Sequence, residues 1–301
     1  MAKSKIVVIG SSNTDMVVQS DHLPVPGETV LGGEFFMNPG GKGANQAVAA
    51  SRFGGDVIFI SRLGNDIFGE KYRDILKKEK ISTGHVYTDP DAASGIALIT
   101  VDSKGENAIV VAPGANSRLD RSDIDKAEKE FKEAEFFLLQ LEIPLDTVIY
   151  AAQKASKSDK KVVLNPAPAQ ELPEELLKTL YIITPNETEA EMLSGIQVND
   201  IDSARSAAWA IRKRGVDVVI ITMGSRGAYI YSDEVEIHVP ASEVTARDTT
   251  AAGDVFNGAL VVALAEQLPL SEAVQLANNA ASLSVTKLGA QASAPYREEV
   301  K

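Results

Sequence analysis

The hydrophobic patterning of this chain predicts an α/β layered fold, on three observations. Short β-rich runs, apolar at almost every position, recur at residues 57–60, 136–141, 162–164, 181–184 and 218–222. Helical stretches lie between them, at 44–53, 67–78, 145–157, 201–214 and 253–267. Two segments, 14–39 and 94–111, break that rhythm with strand-like runs joined by turns and no helix between. Continuously apolar strands suit a parallel sheet covered on both faces, and a strand–helix–strand series supplies the covering helices.

Taken in order, Ile6-Val-Val-Ile9 forms a first short strand directly after Met-Ala-Lys-Ser-Lys, a start without the layout of a signal peptide. In the first irregular segment Met16-Val-Val-Gln, Glu28-Thr-Val-Leu and Glu34-Phe-Phe-Met read as strands set apart by Pro/Gly turns. In the second, 95–101 and 107–111 flank a turn at 102–105 and read as a hairpin. Together they predict a small, mainly antiparallel sheet standing off the main one, able to close on a ligand or else to extend its edge.

Composition narrows the function. The chain has 301 residues, 44% hydrophobic and 24% charged, the balance of a globular enzyme. With 30 basic against 42 acidic residues the net charge is −12, which disfavours nucleic acid or an anionic membrane as main partner. The absence of cysteine excludes disulfides, thiolate metal sites and a cysteine nucleophile. No apolar run approaches the ~18–20 residues of a membrane helix, so the expected location is cytoplasmic.

In open α/β sheets, ligands bind beyond the carboxyl ends of the strands. Those positions carry Asn13 and Asp15 after the first strand, then Glu142, Asn165, Asn186 and Gly224. One such residue would be a turn former; so many in succession point to a site. Asp248-Thr-Thr-Ala-Ala-Gly-Asp254 enters a helix whose apolar residues include Phe256, Ala259, Leu260, Ala263 and Leu264. The N–H groups of a helix start bind anions, Gly253 allows close approach, and Asp254 beside them would stay ionised as a base. A plain helix cap with an acidic first turn has the same sequence. Gly40-Gly-Lys-Gly-Ala-Asn45 opens a helix of small residues, with Lys42 and Asn45 left for a ligand. It is not a P-loop, since Phe36 stands where glycine is needed and Gly43 follows the lysine. Nor is it a dinucleotide fingerprint, because Gln46 replaces the third glycine and no strand clearly feeds it. Asn186 and Glu189 fit either a ligand pair or a capping box. The turn Thr222-Met-Gly-Ser-Arg-Gly227 could cradle phosphate. His22, His85 and His238 are isolated, without metal or triad spacing.

These motifs in this order resemble the ribokinase-like carbohydrate kinase family of phosphofructokinase B type, over roughly residues 5 to 299. Its carriers are Gly10-Ser-Ser-Asn-Thr-Asp15, Pro26-Gly-Glu-Thr29, Gly40-Gly-Lys-Gly-Ala-Asn-Gln-Ala47, Gln140-Leu-Glu142, Leu164-Asn-Pro-Ala-Pro-Ala169, Thr184-Pro-Asn-Glu-Thr-Glu-Ala190, the Asp248 motif and Gly289-Ala-Gln-Ala-Ser293. The Asp254 motif is specific to the family at large; Gly-Gly-Lys-Gly-Ala-Asn with Asn-Pro-Ala-Pro-Ala narrows the resemblance to its ribose-phosphorylating branch.

The resemblance implies a three-layer α/β/α core with a mostly parallel central sheet, from residues 1–13, 40–93 and 112–301. It implies a β-sheet lid from 14–39 and 94–111, and transfer of the ATP γ-phosphoryl group to the 5-hydroxyl of D-ribose. Asp254 would be the base, with N–H groups at Ala252 and Gly253 stabilising the transferring group. Asn13, Thr14, Asp15, Gly41, Lys42, Gly43, Ala44, Asn45 and Glu142 would hold the sugar. Asn186, Thr222, Met223, Gly224, Ser225, Arg226, Gly227 and Asn278 would hold ATP, and Glu189 would act on the Mg²⁺ shell. A K⁺ site would use Asp248 and Ser293 with carbonyls of Thr250, Ser284, Lys287 and Gly289. Arg247 departs from the apolar residue expected before this motif. Homodimerisation through the lid strands is expected, because an isolated lid could not bury its apolar faces. A 2-deoxyribose or nucleoside kinase, and a sugar-binding protein without activity, are the competing expectations.

Overall fold

A computed structural model describes residues 5–300. Residues 1–4 and 301, which belong to the expected core segments 1–13 and 112–301, lie outside the described residues.

The main sheet has nine strands: β1 (Lys5–Ile9), β4 (Asp56–Gly64), β5 (Ser82–Asp89), β8 (Phe136–Leu139), β9 (Lys161–Leu164), β10 (Ile182–Ile183), β11 (Val218–Thr222), β12 (Ala228–Tyr231) and β13 (Glu236–Val239). They lie in the order β13-β12-β11-β10-β9-β8-β1-β4-β5, parallel except for β12, which runs antiparallel to both β11 and β13 near one edge. The central strand β1 shows why its sequence is apolar throughout. Ile6 and Val8 belong to one core and Val7 and Ile9 to the other, and all four are fully buried. The principal helices are α1 (Lys42–Arg52), α2 (Ile67–Lys78), α3 (Leu145–Ser156), α4 (Glu187–Ser194), α5 (Ile201–Arg212), α6 (Ala252–Ala265) and α7 (Leu270–Ser284). Side chains of α1, α2, α6 and α7 fill the first core, and those of α3, α4 and α5 the second. The fold is the α/β architecture expected: a mostly parallel sheet between two helical layers.

A second sheet, order β3-β2-β6-β7, uses β2 (Asn13–Gln19), β3 (Phe35–Gly40), β6 (Gly95–Val101) and β7 (Asn107–Ala112). The hairpin β6–β7 is as the turn at 102–105 predicts, and β2 joins β6 in parallel. The expected strand at 28–31 is irregular instead. Gly27, Gly32 and Gly33 take positive φ, and the Glu28 carboxylate folds back on the Val25 N–H (3.0 Å) and on His22 (2.9 Å), so the segment turns locally. A further correction concerns α1: β3 feeds it directly, through Gly41 at φ 89°. That conformation is open to glycine and costly for other residues.

The helices α1 and α6 approach until almost nothing separates their backbones. A Cβ at Gly258 would stand 2.6 Å from the Ala49 Cβ and 2.8 Å from the Gln46 carbonyl oxygen. The run of alanines in α1 and the small residues of α6 make that contact possible, and it sets the first turns of both helices side by side.

Candidate active site

Residues just past β1, β8, β9 and β10 meet the N-terminal parts of α1 and α6, through Ser11, Glu142, Asn165 and Thr184. Asp254 lies in the first turn of α6 and is 5% exposed, although Gly253 beside it is exposed, with nothing within 4 Å of where a Cβ would stand. No side chain caps this helix; its N-cap, Ala251, sits in the left-handed region at φ 61°. The turn therefore presents unshielded backbone to an open space, the arrangement that suits an anion.

The Asp254 carboxylate is held by side chains of α1: its Oδ2 accepts from Asn45 Nδ2 (3.0 Å) and its Oδ1 from Gln46 Nε2 (2.9 Å). The expectation that N–H groups of its own turn keep it ionised needs correction. Burial pushes its carboxyl up from the ordinary value, while Lys42, Asn45 and Gln46 work in the opposite direction. The Asn45 Oδ1 is buried without a hydrogen-bond partner, a demand that a hydroxyl donor would meet.

Glu142, just past β8, reaches across to α1. Its Oε2 accepts from the Ser11 hydroxyl (2.6 Å) and from the Lys42 N–H (3.0 Å). Burial works against the Lys42 charge, but Asp254, Glu142 and Glu189 around it raise its ammonium above the usual value. Asp15, on β2, is pushed up to about 7 by burial and by the negative charges of Glu142 and Asp254. Asn13 is held by Asn116, whose Nδ2 donates to the Asn13 Oδ1 (2.8 Å) and the Ser12 carbonyl (3.1 Å). Thr14 follows it on the same strand, partly exposed. Gly41, Gly43 and Ala44 are buried where β3 enters α1, and Ala44 is part of the core.

The segments expected to hold a nucleotide are assembled beyond β10 and β11. Asn186 and Glu189 form a capping box: Glu189 N–H to Asn186 Oδ1 (2.8 Å) and Asn186 N–H to Glu189 Oε2 (2.9 Å). Burial raises the Glu189 carboxyl against that bond. Asn186 bridges Thr222, joining α4 to the turn from Gly224 through Ser225 and Arg226 to Gly227. Two side chains of this set face elsewhere. Met223 is buried in the core, and Arg226 binds Glu187 (3.0 Å) and the Asn199 carbonyl. The buried Asn278 donates to the carbonyls of Val239 (3.0 Å) and Pro240 (3.4 Å).

Asp248 lies beside the anion turn and draws together two loops distant in sequence. Its Oδ1 accepts from the Thr250 N–H (2.9 Å) and its Oδ2 from the Gly289 N–H (2.8 Å). Burial opposes its charge, yet these donors hold its carboxyl below the ordinary value. The Arg247 N–H binds the Val285 carbonyl (2.7 Å), so its backbone belongs to this junction whatever its side chain. The Ser284 carbonyl accepts from the Lys287 N–H (3.0 Å), and the Ser293 hydroxyl bonds the Ala290 carbonyl (2.8 Å). No group of three or more His, Cys, Asp or Glu among the described residues could hold a metal ion. The three histidines serve locally: His22 with Glu28, His85 with Glu130 (3.0 Å) and His238 with the Arg226 carbonyl (2.6 Å).

Sequence reasoning missed Ser11, Gln46, Asn116 and Gln140 as parts of the site. The signal for Gln46 and Gln140 was present, since both stand inside quoted motifs, but only folding shows what they face. Asn116 had no local signal.

Known proteins match this chain over nearly its whole length. The description "pfkB family carbohydrate kinase" matches residues 3–297. The chain is 44% identical to the ribokinase of Haemophilus influenzae over 297 residues, covering 99% of this chain and 97% of that protein. It is 38% identical to the deoxyribokinase of Salmonella typhi, covering 98% and 96% of the two. The structure of Arabidopsis thaliana ribokinase complexed with ribose and ATP superposes with a TM-score of 0.88 at 31% identity, covering 99% of this chain and 97% of that one. Among the described residues, no helix is long and apolar enough to cross a membrane. Matched by that family over residues 3–297 and by a relative 44% identical across nearly its whole length, the chain belongs to the pfkB family of carbohydrate kinases.

Proposed function

We propose that this kinase transfers the γ-phosphoryl group of ATP to the 5-hydroxyl of D-ribose, with Asp254 as general base. One observation carries the reading. A buried carboxylate, each oxygen held by an amide, stands next to the exposed and uncapped turn at Gly253. The 5-hydroxyl oxygen attacks the γ-phosphorus in line, its proton passes to Asp254, and the bond to the β–γ bridging oxygen breaks to release ADP. Backbone N–H groups at Ala252 and Gly253 receive the charge that builds on the transferring oxygens. Asn13, Asp15, Asn45 and Glu142 bind the sugar hydroxyls, and the unpartnered Asn45 Oδ1 supports that assignment. Lys42 balances the carboxylates around it.

ATP lies along the Asn186, Thr222–Gly227 and Asn278 segments, with Met223 contributing backbone alone. Mg²⁺, arriving with the phosphates, would supply charge neutralisation, and the buried Glu189 carboxylate is placed to hold its water shell. An oxygen-only donor set around Asp248, Thr250, Ser284, Lys287, Gly289 and Ser293 suits a hard monovalent cation such as K⁺. The small sheet acts as a lid that keeps water from the phosphoryl group. A cytoplasmic location is consistent with an enzyme that draws on ATP.

The test is ADP release with ribose, with 2-deoxyribose and without sugar, and the product identified by phosphorus NMR. Ribose 5-phosphate, and kcat/KM for ribose above that for 2-deoxyribose by on the order of 10–10³, is the expected result. The likeness to a deoxyribokinase keeps one rival reading: a better rate with 2-deoxyribose would transfer the assignment to that sugar.

A further inference from the structure

Gln46 is fully buried and makes three hydrogen bonds, one of them to Asp254, yet the mechanism above gives it no task beyond that contact. Its Nε2 donates to Asp254 Oδ1 (2.9 Å) and Asn165 Oδ1 (3.1 Å), and its Oε1 accepts from Gln140 Nε2 (2.5 Å). An ionised carboxylate only accepts, so Gln46 must turn its amide nitrogen toward Asp254. Its carbonyl oxygen then faces Gln140, which must in turn present its own nitrogen. The Gln140 Oε1 is left buried without a partner, and it fills the space where a Cβ at Gly10 would stand, 2.0 Å away. A buried orphan acceptor is costly. It persists here because the donor orientation of Gln46 requires it.

The network closes on itself. Asn165 Nδ2 donates to the Thr184 carbonyl (3.3 Å), the Thr184 hydroxyl to Asn257 Oδ1 (2.7 Å), and Asn257 Nδ2 to the Gly253 carbonyl (2.8 Å). Thus a chain of uncharged groups leaves the Asp254 carboxylate, crosses the ends of β9 and β10, and returns to the turn that carries Asp254. The close contact of α1 with Gly258 holds the Gln46 backbone against α6.

We propose that Gln46 is a positioning residue for the phosphoryl transfer: it anchors Asp254 Oδ1, oriented by Gln140, and leaves Oδ2, on the Asn45 side, to take the hydroxyl proton. The inference rests on Asp254 being the base. A neutral amide suits this task, because a second cation would compete with Lys42 for the same carboxylate. Lys42 from α1, Asp15 from β2, Glu142 beyond β8 and Glu189 from α4 are the charged groups that act on Asp254. Without the Gln46 donor the repulsive carboxylates and burial would hold its proton more tightly.

Gln46→Met keeps the length and removes the donors. Steady-state kinetics should show kcat lowered by about 10–10²-fold, as for a base out of place, with KM for sugar and for ATP within about threefold of wild type. The acid limb of the kcat profile should move to higher pH. A merely structural role would lower the melting temperature and the active fraction while leaving that limb in place, and this result would overturn the proposal. If Gln46→Met does not fold, Gln140→Met tests the same orientation at one remove. It should move the limb in the same direction, and a wild-type limb in folded Gln140→Met sinks the idea. Asp254→Asn is measured alongside. An active Asp254→Asn removes the base itself; an inactive one beside a Gln46→Met with the wild-type limb removes only the role of Gln46.

Discussion

At the scale of single residues, the site is a cluster of like charges kept apart by amides. Glu142, Glu189 and Asp254 surround Lys42, Asp15 lies near Glu142 and Asp254, and burial makes each uncompensated charge costly. Asp254→Asn keeps the shape and removes the proton acceptor. It should lower kcat by at least ~10²–10⁴-fold while sugar and ATP bind within a few-fold, read by steady-state kinetics and calorimetry. Asp15 gives a pH signature. Its carboxyl is pushed up to about 7, so it takes up a proton near neutrality in the free enzyme, and the ionised form accepts sugar hydroxyls more strongly at both oxygens. Ribose affinity should therefore rise from about pH 6 to about pH 8 and then level off, and Asp15→Asn should flatten that dependence. The stability sign is opposite. With its folded value raised above its unfolded one, the Asp15 contribution is fully present below the unfolded value near 3.8. It is lost as pH rises through about 7, so the unliganded enzyme should melt lower on the alkaline side. A melting temperature that rises across that window in wild type and not in Asp15→Asn would contradict this.

At the scale of elements, the start of α6 concentrates strain and function. Ala251 holds a left-handed backbone that costs a non-glycine residue about 1–2 kcal/mol, whereas glycine would cost about 0.5–1 kcal/mol through the freedom of the unfolded chain. Ala251→Gly should thus be stabilising by roughly 0.5 kcal/mol, yet lower kcat a few-fold because the anion turn loses rigidity. Thermal melting and turnover on the same preparation check both; a loss of more than about 1 kcal/mol would show the alanine to be unstrained. The loop pair joined by Asp248 bears on the same turn. Next to Gly289, the short helix Ala290–Ser293 carries Gln291, which donates to the Tyr72 hydroxyl (2.7 Å); that hydroxyl donates to the Gly40 carbonyl. A cation in the proposed Asp248 site would steady the turn before Asp254 on one side and the loop at Gly40 on the other. Turnover should rise when potassium replaces sodium or lithium at constant ionic strength, and Asp248→Ala should erase the difference. Equal rates in all three salts with the wild type would argue against a specific site.

At the scale of the whole molecule, the small sheet leaves a set of apolar side chains exposed, the basis for proposing that it pairs with a second copy. Phe35, Met37, Leu98, Ile109, Val110 and Val111 are exposed on it, Val110 to 68%, and β3 and β7 end it as unpaired edges. Two-fold pairing of these sheets would cover both at once. Light scattering at micromolar concentration should give a dimer, and Val110→Asp should shift it toward monomer. A fully active wild-type monomer would remove the pairing from the account of this enzyme.

The sequence by itself determined the alternation of strands and helices, the layered α/β class and the identity of the sheet-end polar residues. Hydrophobic period and glycine chemistry are local properties, readable along the chain. An apolar run overstates a strand's end where a polar residue such as Gln140 follows inside it, and the flanking glycines overrule the β-rich composition of residues 28–31. What only the tertiary structure decided is which groups meet. Asn45 and Gln46 each lie more than two hundred positions from Asp254 along the chain, and Asn116 reaches Asn13 across more than a hundred. Those contacts depend on the order in which β8, β1 and β4 pair and on the closeness of α1 to α6. Both are set by packing over the entire core rather than by any segment alone.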